Sequence, residues 1–119
     1  MSWLAKILRA SCSRFNPPAG KSPVEMLSAG AVLVDVRSDG EFAAGHIEGA
    51  LWLPLDRIHL DIATVAPTQN QPLILYCRSG ARSQRACNIV EQMGYSNAIN
   101  GGGVGALSKL LDRPIVGGQ

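Results

Sequence analysis

Two apolar segments constrain the fold of this chain more than any other feature. The segments AVLVDV (31–36) and PLILYC (72–77) are nearly continuous apolar runs, and the first is rich in β-branched residues. Such runs are typical of strands that are covered on both faces, as in a parallel sheet. Because helical patterns separate them, the sequence predicts an α/β domain with a mainly parallel sheet flanked by helices.

Capping signals mark the start of two helices, one before the first apolar run and one between the two runs. Ser22 with Glu25, and Ser38 with Glu41, both match the Ser-x-x-Glu pattern of a helix start, and Gly30 is a stop signal. Besides the two apolar runs, the predicted elements are helices at 22–29 and 39–44, a strand at 49–54, a helix at 55–65, an amphipathic helix ending at Gly94, a short strand at 97–100, a tight loop at 101–105 and a last helix at 105–113.

Length and charge restrict the domain count and the partners. The chain has 119 residues, of which 46% are apolar and 17% charged, which indicates one globular domain. Residues 1–24 contain four basic residues and no acid, whereas residues 25–119 contain seven basic and nine acidic residues. The body is therefore slightly acidic, and nucleic acid is not a predicted partner.

The cysteines indicate a reducing compartment. Cys12, Cys77 and Cys87 are odd in number, and no two have a Cys-x-x-Cys spacing. A disulfide framework or a zinc site is not expected, and no metal or cofactor is predicted. The expected location is the cytoplasm.

The first 20 residues form a predicted appendage. Apolar residues recur there at helical spacing, with Lys6, Arg9 and Arg14 mostly on the other side, while NPPAG ends the segment. Lys6 and Arg9 interrupt the apolar run that a signal peptide would need. The favoured interpretation is a frayed leader or a helix packed on the body; the alternative is a helix that contacts a membrane surface or a partner. The domain itself is predicted at 21–116, and 117–119 is a short tail.

The segment ILYCRSGARSQRA (74–86) has the strongest chemical signal. Cys77 ends a predicted strand, and Gly80 permits the sharp turn into the following helix. Backbone N–H groups at such a turn, together with the helix N-terminus, form an anion cradle. The helix end and nearby arginines lower the pKa of a thiol, so Cys77 is predicted to be a thiolate nucleophile. By contrast, Cys87 is predicted to pack inside the helix and Cys12 to be a thiol of the appendage.

The spacing of the loop favours sulfur transfer over phosphoryl transfer. A phosphatase or arsenate reductase with a Cys-x5-Arg loop would have arginine at position 83, where this chain has Ser83 and the arginine is Arg82. Tyr76 also occupies the place where such phosphatases usually have histidine. A shorter loop forms a tighter cup, which suits a sulfur atom on the cysteine, and thiosulfate is an anion with an attackable outer sulfur.

The chain resembles the rhodanese family of sulfurtransferases in its small single-domain bacterial form. The resemblance covers about residues 20–116 and rests on LVDVRSDGEFAAGHIEGALWLPL (33–55), ILYCRSGARSQRA (74–86) and GGGVGALSKLLDRPI (101–115). It implies a central, mainly parallel five-stranded sheet flanked by helices. It also implies a persulfide on Cys77, with cyanide or a thiol as acceptor, and a preference for thiosulfate because arginine follows the cysteine.

The same resemblance implies the residues of the site. The substrate and the persulfide would be bound by the loop residues that follow Cys77, namely Arg78, Ser79, Gly80, Ala81, Arg82 and Ser83. Asp35 and Arg37 are expected to border the pocket, although a structural ion-pair network including Glu41 is the favoured interpretation. His46 is expected to anchor a loop. Leu107 replaces a tryptophan that packs in relatives.

Two function classes remain open from the sequence. The first is a thiosulfate sulfurtransferase that acts on small molecules. The second is a sulfur-relay or docking module that a protein persulfide donor loads, with the arginine cluster and the appendage as partner surface.

Overall fold

The computed structural model describes residues 22–117, so the predicted appendage at 1–20 lies outside the described residues. Within this range the helices are Pro23–Ser28 (α1), Asp39–Ala44 (α2), Ile58–Val65 (α3), Ala81–Gln92 (α4) and Val104–Leu111 (α5). The strands are Val32–Asp35 (β1), His46–Ile47 (β2), Leu51–Trp52 (β3), Leu73–Cys77 (β4), Ala98–Gly103 (β5) and Ile115–Val116 (β6). The α/β class predicted from the sequence is confirmed.

The main sheet is parallel and has the strand order β3-β1-β4-β5 in the described part of the chain. This is four strands where the resemblance implied five. The short strand β2 pairs antiparallel with β6 instead of joining the edge of the main sheet, so these two strands form a separate ribbon. The Tyr76 hydroxyl links this ribbon to β4, because it accepts a hydrogen bond from the Ile47 N–H at 3.0 Å.

Both faces of β4 are buried, as its apolar run predicted. Leu73, Leu75 and Cys77 belong to one core cluster, with residues of α3 and α4, whereas Ile74 and Tyr76 belong to a second, with residues of α1 and α5. This alternation is the two-residue period of a strand. Helices therefore cover both faces of the sheet. The carboxyl end of β4 lies where the chain turns into α4.

The capping boxes form as the sequence indicates. Ser22 and Glu25 cap α1, and Ser38 and Glu41 cap α2, with side chain and backbone bonded reciprocally in both cases. The second box is relevant to the site, because it positions Glu41 at the start of α2. No helix among residues 22–117 combines the length and the apolar character that crossing a membrane requires.

The prediction of a tight glycine loop after residue 100 is wrong in part. Gly101, Gly102 and Gly103 continue β5 beside Tyr76 and Cys77, with a bulge between Leu75 and Tyr76. A Cβ atom on Gly101 would lie 2.9 Å from the Leu107 side chain, and one on Gly103 would lie 2.6 Å from the Arg78 carbonyl oxygen. Because these glycines have no side chain, the strand can pack closely against helix α5 and against the loop after Cys77.

Candidate active site

The sulfur of Cys77 lies at the junction of β4 and α4. Cys77 is the last residue of the strand, and Gly80 is the N-cap of the helix, with a φ of 103° in the region that favours glycine. The Gly80 N–H donates a hydrogen bond to the Cys77 sulfur at 2.9 Å, and the Ser83 hydroxyl lies 3.5 Å from it. The turn predicted from Gly80 therefore forms, with a backbone donor directed at the sulfur.

The loop shifts the thiol toward its ionised form. Burial raises the pKa of the Cys77 thiol, but hydrogen bonds from the Ser83 hydroxyl and from the backbone of Ser83, Ser79 and Gly80 outweigh it, so that the pKa is lowered. The direction agrees with the sequence prediction. The largest contributions that lower the pKa are hydrogen bonds from the loop and the helix start, and the charge of Arg82 also interacts with the sulfur.

Arg82 is held by an acidic partner. Its guanidinium nitrogens lie 2.7 and 2.9 Å from the two carboxylate oxygens of Glu41. The Arg82 pair and hydrogen bonds from Ser38 lower the pKa of Glu41 well below its usual range, and the same pairing raises the pKa of Arg82. Glu41 therefore ties the start of α2 to the start of α4. By contrast, Arg78 is exposed and forms no salt bridge within the described part of the chain.

Asp35 and Arg37 form a buried pair at the carboxyl end of β1. Arg37 donates from Nε and Nη2 to the carboxylate of Asp35 at 2.8 to 3.1 Å, and Arg37 also binds the Gly45 carbonyl. The Trp52 indole donates to the Arg37 carbonyl at 2.9 Å. These contacts connect β1 with the segments on either side of β2, which is the arrangement of a structural network.

Beside the loop is an open cavity of about 260 Å³. Arg37 and Arg82 line it together with apolar residues, whereas Asp35 does not. Its lining consists of Val36, Arg37, Ser38, Pro54, Leu55, Asp56 and Arg82. Of the two residues expected at a pocket border, Arg37 therefore lines a cavity and Asp35 supports Arg37 from behind.

His46 has the contacts of a loop anchor. Its Nδ1 lies 2.9 Å from the Phe42 carbonyl oxygen, and its ring stacks on the Phe42 ring with centroids 3.8 Å apart. Tyr76, for its part, is fully buried, and this burial raises the pKa of its hydroxyl well above the ordinary value.

Asn100 is a polar contributor that the sequence interpretation missed. It is a buried residue of β5 whose Nδ2 donates to the Gly80 carbonyl at 3.0 Å, and its Oδ1 lies 2.7 Å from the Ser83 hydroxyl. Its Oδ1 also accepts the Gly102 N–H at 2.9 Å. The available signal was a polar residue just before a glycine run, in a strand predicted to follow the cysteine helix.

Cys87 matches its predicted packing role, because it is fully buried inside α4. Leu107, which replaces the tryptophan of relatives, is also buried, in the core cluster around α5. Among residues 22–117, no three His, Cys, Asp or Glu side chains come together as metal ligands.

Comparison with known proteins identifies one family. Residues 23–106 match the family model described as Rhodanese-like domain. The chain is 35% identical over 71 residues to thiosulfate sulfurtransferase PspE of Escherichia coli K12, covering 60% of this chain and 68% of that protein. It is 36% identical over 92 residues to thiosulfate sulfurtransferase GlpE of Ectopseudomonas mendocina, covering 76% and 83%. A solved structure described as rhodanese with anions from E. coli superposes with a TM-score of 0.67 at 32% identity, covering 75% of this chain and 100% of that one.

Proposed function

This chain belongs to the rhodanese-like domain family, and from that premise we propose that it is a sulfurtransferase acting through a persulfide on Cys77. The proposed donor is thiosulfate and the proposed acceptor is a thiophile, either cyanide or a small thiol. The curated relatives named above are thiosulfate sulfurtransferases, which supports the reaction class.

The observation that carries the proposal is the position of the Cys77 sulfur. It receives the Gly80 N–H at 2.9 Å and lies at the N-terminus of α4. The first N–H groups of a helix have no partner within the helix, and they favour negative charge. A thiolate or a persulfide anion at this place is therefore stabilised without a separate base.

The proposed first step forms one sulfur–sulfur bond and breaks another. The Cys77 thiolate attacks the outer sulfur of thiosulfate, and sulfite leaves with the electron pair of the broken bond. In the second step, cyanide or a thiolate attacks the outer sulfur of the persulfide, and Cys77 leaves as a thiolate. The products are thiocyanate or the persulfide of the acceptor thiol, so no external oxidant or reductant is required.

The arginines have different proposed roles. Arg78 is exposed and without a salt bridge in the described residues, and it directly follows Cys77, so it is a cation available to attract the thiosulfate dianion. Arg82 binds Glu41, and this pairing fixes the end of the loop. In this proposal the backbone of Ser79 to Ser83 surrounds the outer sulfur, while Asp35 positions Arg37 at the cavity.

The test is the intact mass of the protein after incubation with thiosulfate. The wild type is expected to gain one sulfur atom that cyanide removes, and Cys77→Ser is expected to gain none. Cys87→Ser is the matched control, because Cys87 is equally buried and only ten positions away, and it should gain the sulfur like the wild type. A stable gain on the Cys77→Ser variant would contradict the assignment of the nucleophile.

A second candidate is a sulfur relay loaded by a protein donor. It is favoured by the exposure of both Arg78 and Arg85 beside the loop, which gives a basic surface for an acidic partner. If thiosulfate adds no sulfur, a cysteine desulfurase that carries its own persulfide should be offered instead. Sulfur gained only from that protein would favour the relay, and both reactions fit a reducing cytoplasm.

A further inference from the structure

The hydroxyl of Ser83 lies among three hydrogen-bond acceptors but has only one proton. Its oxygen is 2.7 Å from Asn100 Oδ1, 3.1 Å from the Gly80 carbonyl oxygen and 3.5 Å from the Cys77 sulfur. Ser83 is fully buried, so water does not supply a further partner from bulk solvent. The acceptor that takes this proton is therefore decided by the neighbouring groups.

The backbone fixes the orientation of the Asn100 amide. Its Nδ2 donates to the Gly80 carbonyl at 3.0 Å, and its Oδ1 accepts the Gly102 N–H at 2.9 Å. A flipped amide would place two donors together at Gly102 and two acceptors together at Gly80. The atom that faces the Ser83 hydroxyl is therefore an acceptor.

The Gly80 carbonyl is a weaker choice for the Ser83 proton. It already accepts the Gln84 N–H at 3.0 Å and the Asn100 Nδ2 donor at 3.0 Å, which use its two lone pairs. With Cys77 as a neutral thiol, the shortest contact of the hydroxyl is the one to Asn100 Oδ1, and the proton lies on that bond.

Ionisation of Cys77 changes which acceptor the Ser83 hydroxyl prefers, since a hydrogen bond to a charged acceptor is stronger than one to a neutral acceptor. We propose that Asn100 is a positioning residue that competes with the Cys77 sulfur for the Ser83 hydroxyl proton. While Cys77 is a thiol, the Ser83 O–H points to Asn100 Oδ1. When Cys77 is a thiolate or a persulfide, the Ser83 O–H turns to the sulfur. Ser83 keeps its proton throughout, and only the direction of its O–H bond changes. Asn100 Oδ1 retains the Gly102 N–H after the release.

This inference deepens the proposed function and rests on it for its role in sulfur transfer. Intrinsic thiolate nucleophilicity falls as the thiol pKa falls, so a cysteine that attacks one sulfur and later leaves needs a balanced pKa. Asn100 limits how far the loop stabilises the sulfur anion. It thereby preserves the nucleophilicity of Cys77 for the attack on the donor.

The charged groups near the sulfur are the same in every variant of the test. Arg82 binds Glu41 of α2 and Arg37 binds Asp35 at the end of β1, whereas Arg78, next to Cys77, is exposed and has no salt bridge among the described residues. Burial also opposes ionisation of Cys77 in the wild type, and the double variant shows how much of each change depends on the Ser83 hydroxyl. Differences among variants at Ser83 and Asn100 therefore report the hydrogen bonds.

The experiment is a double-mutant cycle on the pKa of Cys77, measured from ultraviolet thiolate absorbance. In each background, subtracting the corresponding Cys77→Ala spectrum removes the other cysteines. Ser83→Ala is expected to raise the pKa and Asn100→Leu to lower it, each by about one to two units, because a hydrogen bond to a charged group has about that value. The double variant is expected to behave like Ser83→Ala alone.

A merely structural role for Asn100 predicts the opposite sign. If the amide only held the loop in place, Asn100→Leu would loosen the Gly80 N–H donor and raise the pKa in both backgrounds. A raised or unchanged pKa in Asn100→Leu, or a lowering that persists without the Ser83 hydroxyl, would overturn the inference. If Asn100→Leu does not fold by circular dichroism, Asn100→Ala carries the same expected sign. The cycle uses no sulfur donor, so a failure of the proposed function would not alter its outcome.

Discussion

The two buried cysteines of this domain differ in their position in the fold and not in their burial. Cys77 and Cys87 are both 0% exposed and belong to the same core cluster. Cys77 ends a strand three residues before a helix cap, and it receives the Gly80 N–H. Cys87 lies in the middle of α4, where backbone N–H groups are used by the helix itself. Cys77 therefore lies at a junction of strand and helix, whereas Cys87 lies within a continuous helix.

The largest expected effect comes from exchanging each cysteine for serine. Cys77→Ser is expected to abolish sulfur transfer from thiosulfate to cyanide, because serine forms no persulfide. Cys87→Ser is expected to keep the rate within about threefold of the wild type and to lower the free energy of unfolding by about 1 kcal/mol, since a hydroxyl replaces a buried thiol. Thiocyanate formation and chemical denaturation measure the two quantities. Loss of transfer in a folded Cys87→Ser protein would break the distinction between the two sites.

The next largest effect is expected at Gly103. A substitution there tests whether the backbone around Cys77, and not its burial, determines its reactivity. The Gly103 φ of −88° suits any residue, but a Cβ atom there would lie 2.6 Å from the Arg78 carbonyl oxygen. Gly103→Ala should therefore displace the loop after Cys77 and lower kcat for sulfur transfer about tenfold or more, since small displacements in a site have large effects.

Gly105→Ala is the matched control for Gly103→Ala. Gly105 lies within α5 and has no atom within 4 Å of the position its Cβ would take. Alanine there should leave transfer unchanged and raise the free energy of unfolding by up to about 1 kcal/mol through helix propensity. Equal losses of activity in the two variants would show that the Gly103 contact does not position the loop.

Much of the fold could be predicted from the sequence, because local sequence signals and the burial pattern indicate the same elements. The buried strands β1 and β4 and the capping boxes at Ser22 and Ser38 occur as their patterns predict. The turn around Gly80 also follows from chain-local information, because its positive φ is a backbone requirement that glycine meets. These features depend on residues that are close together in sequence, and their predictions are confirmed.

The features that the sequence did not predict have a common physical cause. Each depends on contacts with residues that are far away in the sequence. Strands β2 and β6 are two residues each and exist only because they pair with one another. The glycines of β5 resemble a loop in sequence, and it is the pairing with Tyr76 and Cys77 of β4 that makes them part of a strand. Asn100 likewise has no local motif, since its partners Gly80 and Ser83 lie 20 and 17 positions away.

The smallest predicted effect concerns the ion pair that ties α2 to the cysteine loop. Arg82 lowers the pKa of Glu41, so the ionised carboxylate stabilises the fold. This contribution is present above the ordinary pKa of Glu41 and is lost as the pH falls toward its lowered value. Because the two side chains remain 35% and 27% exposed, Glu41→Gln should lower the Tm at neutral pH by only about 2–6 °C. The Tm difference from the wild type should shrink below about pH 4.

Asp61→Asn is the control for this pair, since it also removes a carboxylate from an arginine. The Arg57–Asp61 pair spans one helical turn and is more exposed, at 57% and 35%, so its loss should change the Tm by about 2 °C or less. Sulfur transfer should fall a few-fold in Glu41→Gln, because Arg82 loses the partner that fixes the loop end, and should stay unchanged in Asp61→Asn. Equal Tm losses with unchanged transfer in both variants would mean that Glu41 contributes surface charge alone, and that the backbone donors hold the Cys77 loop without it.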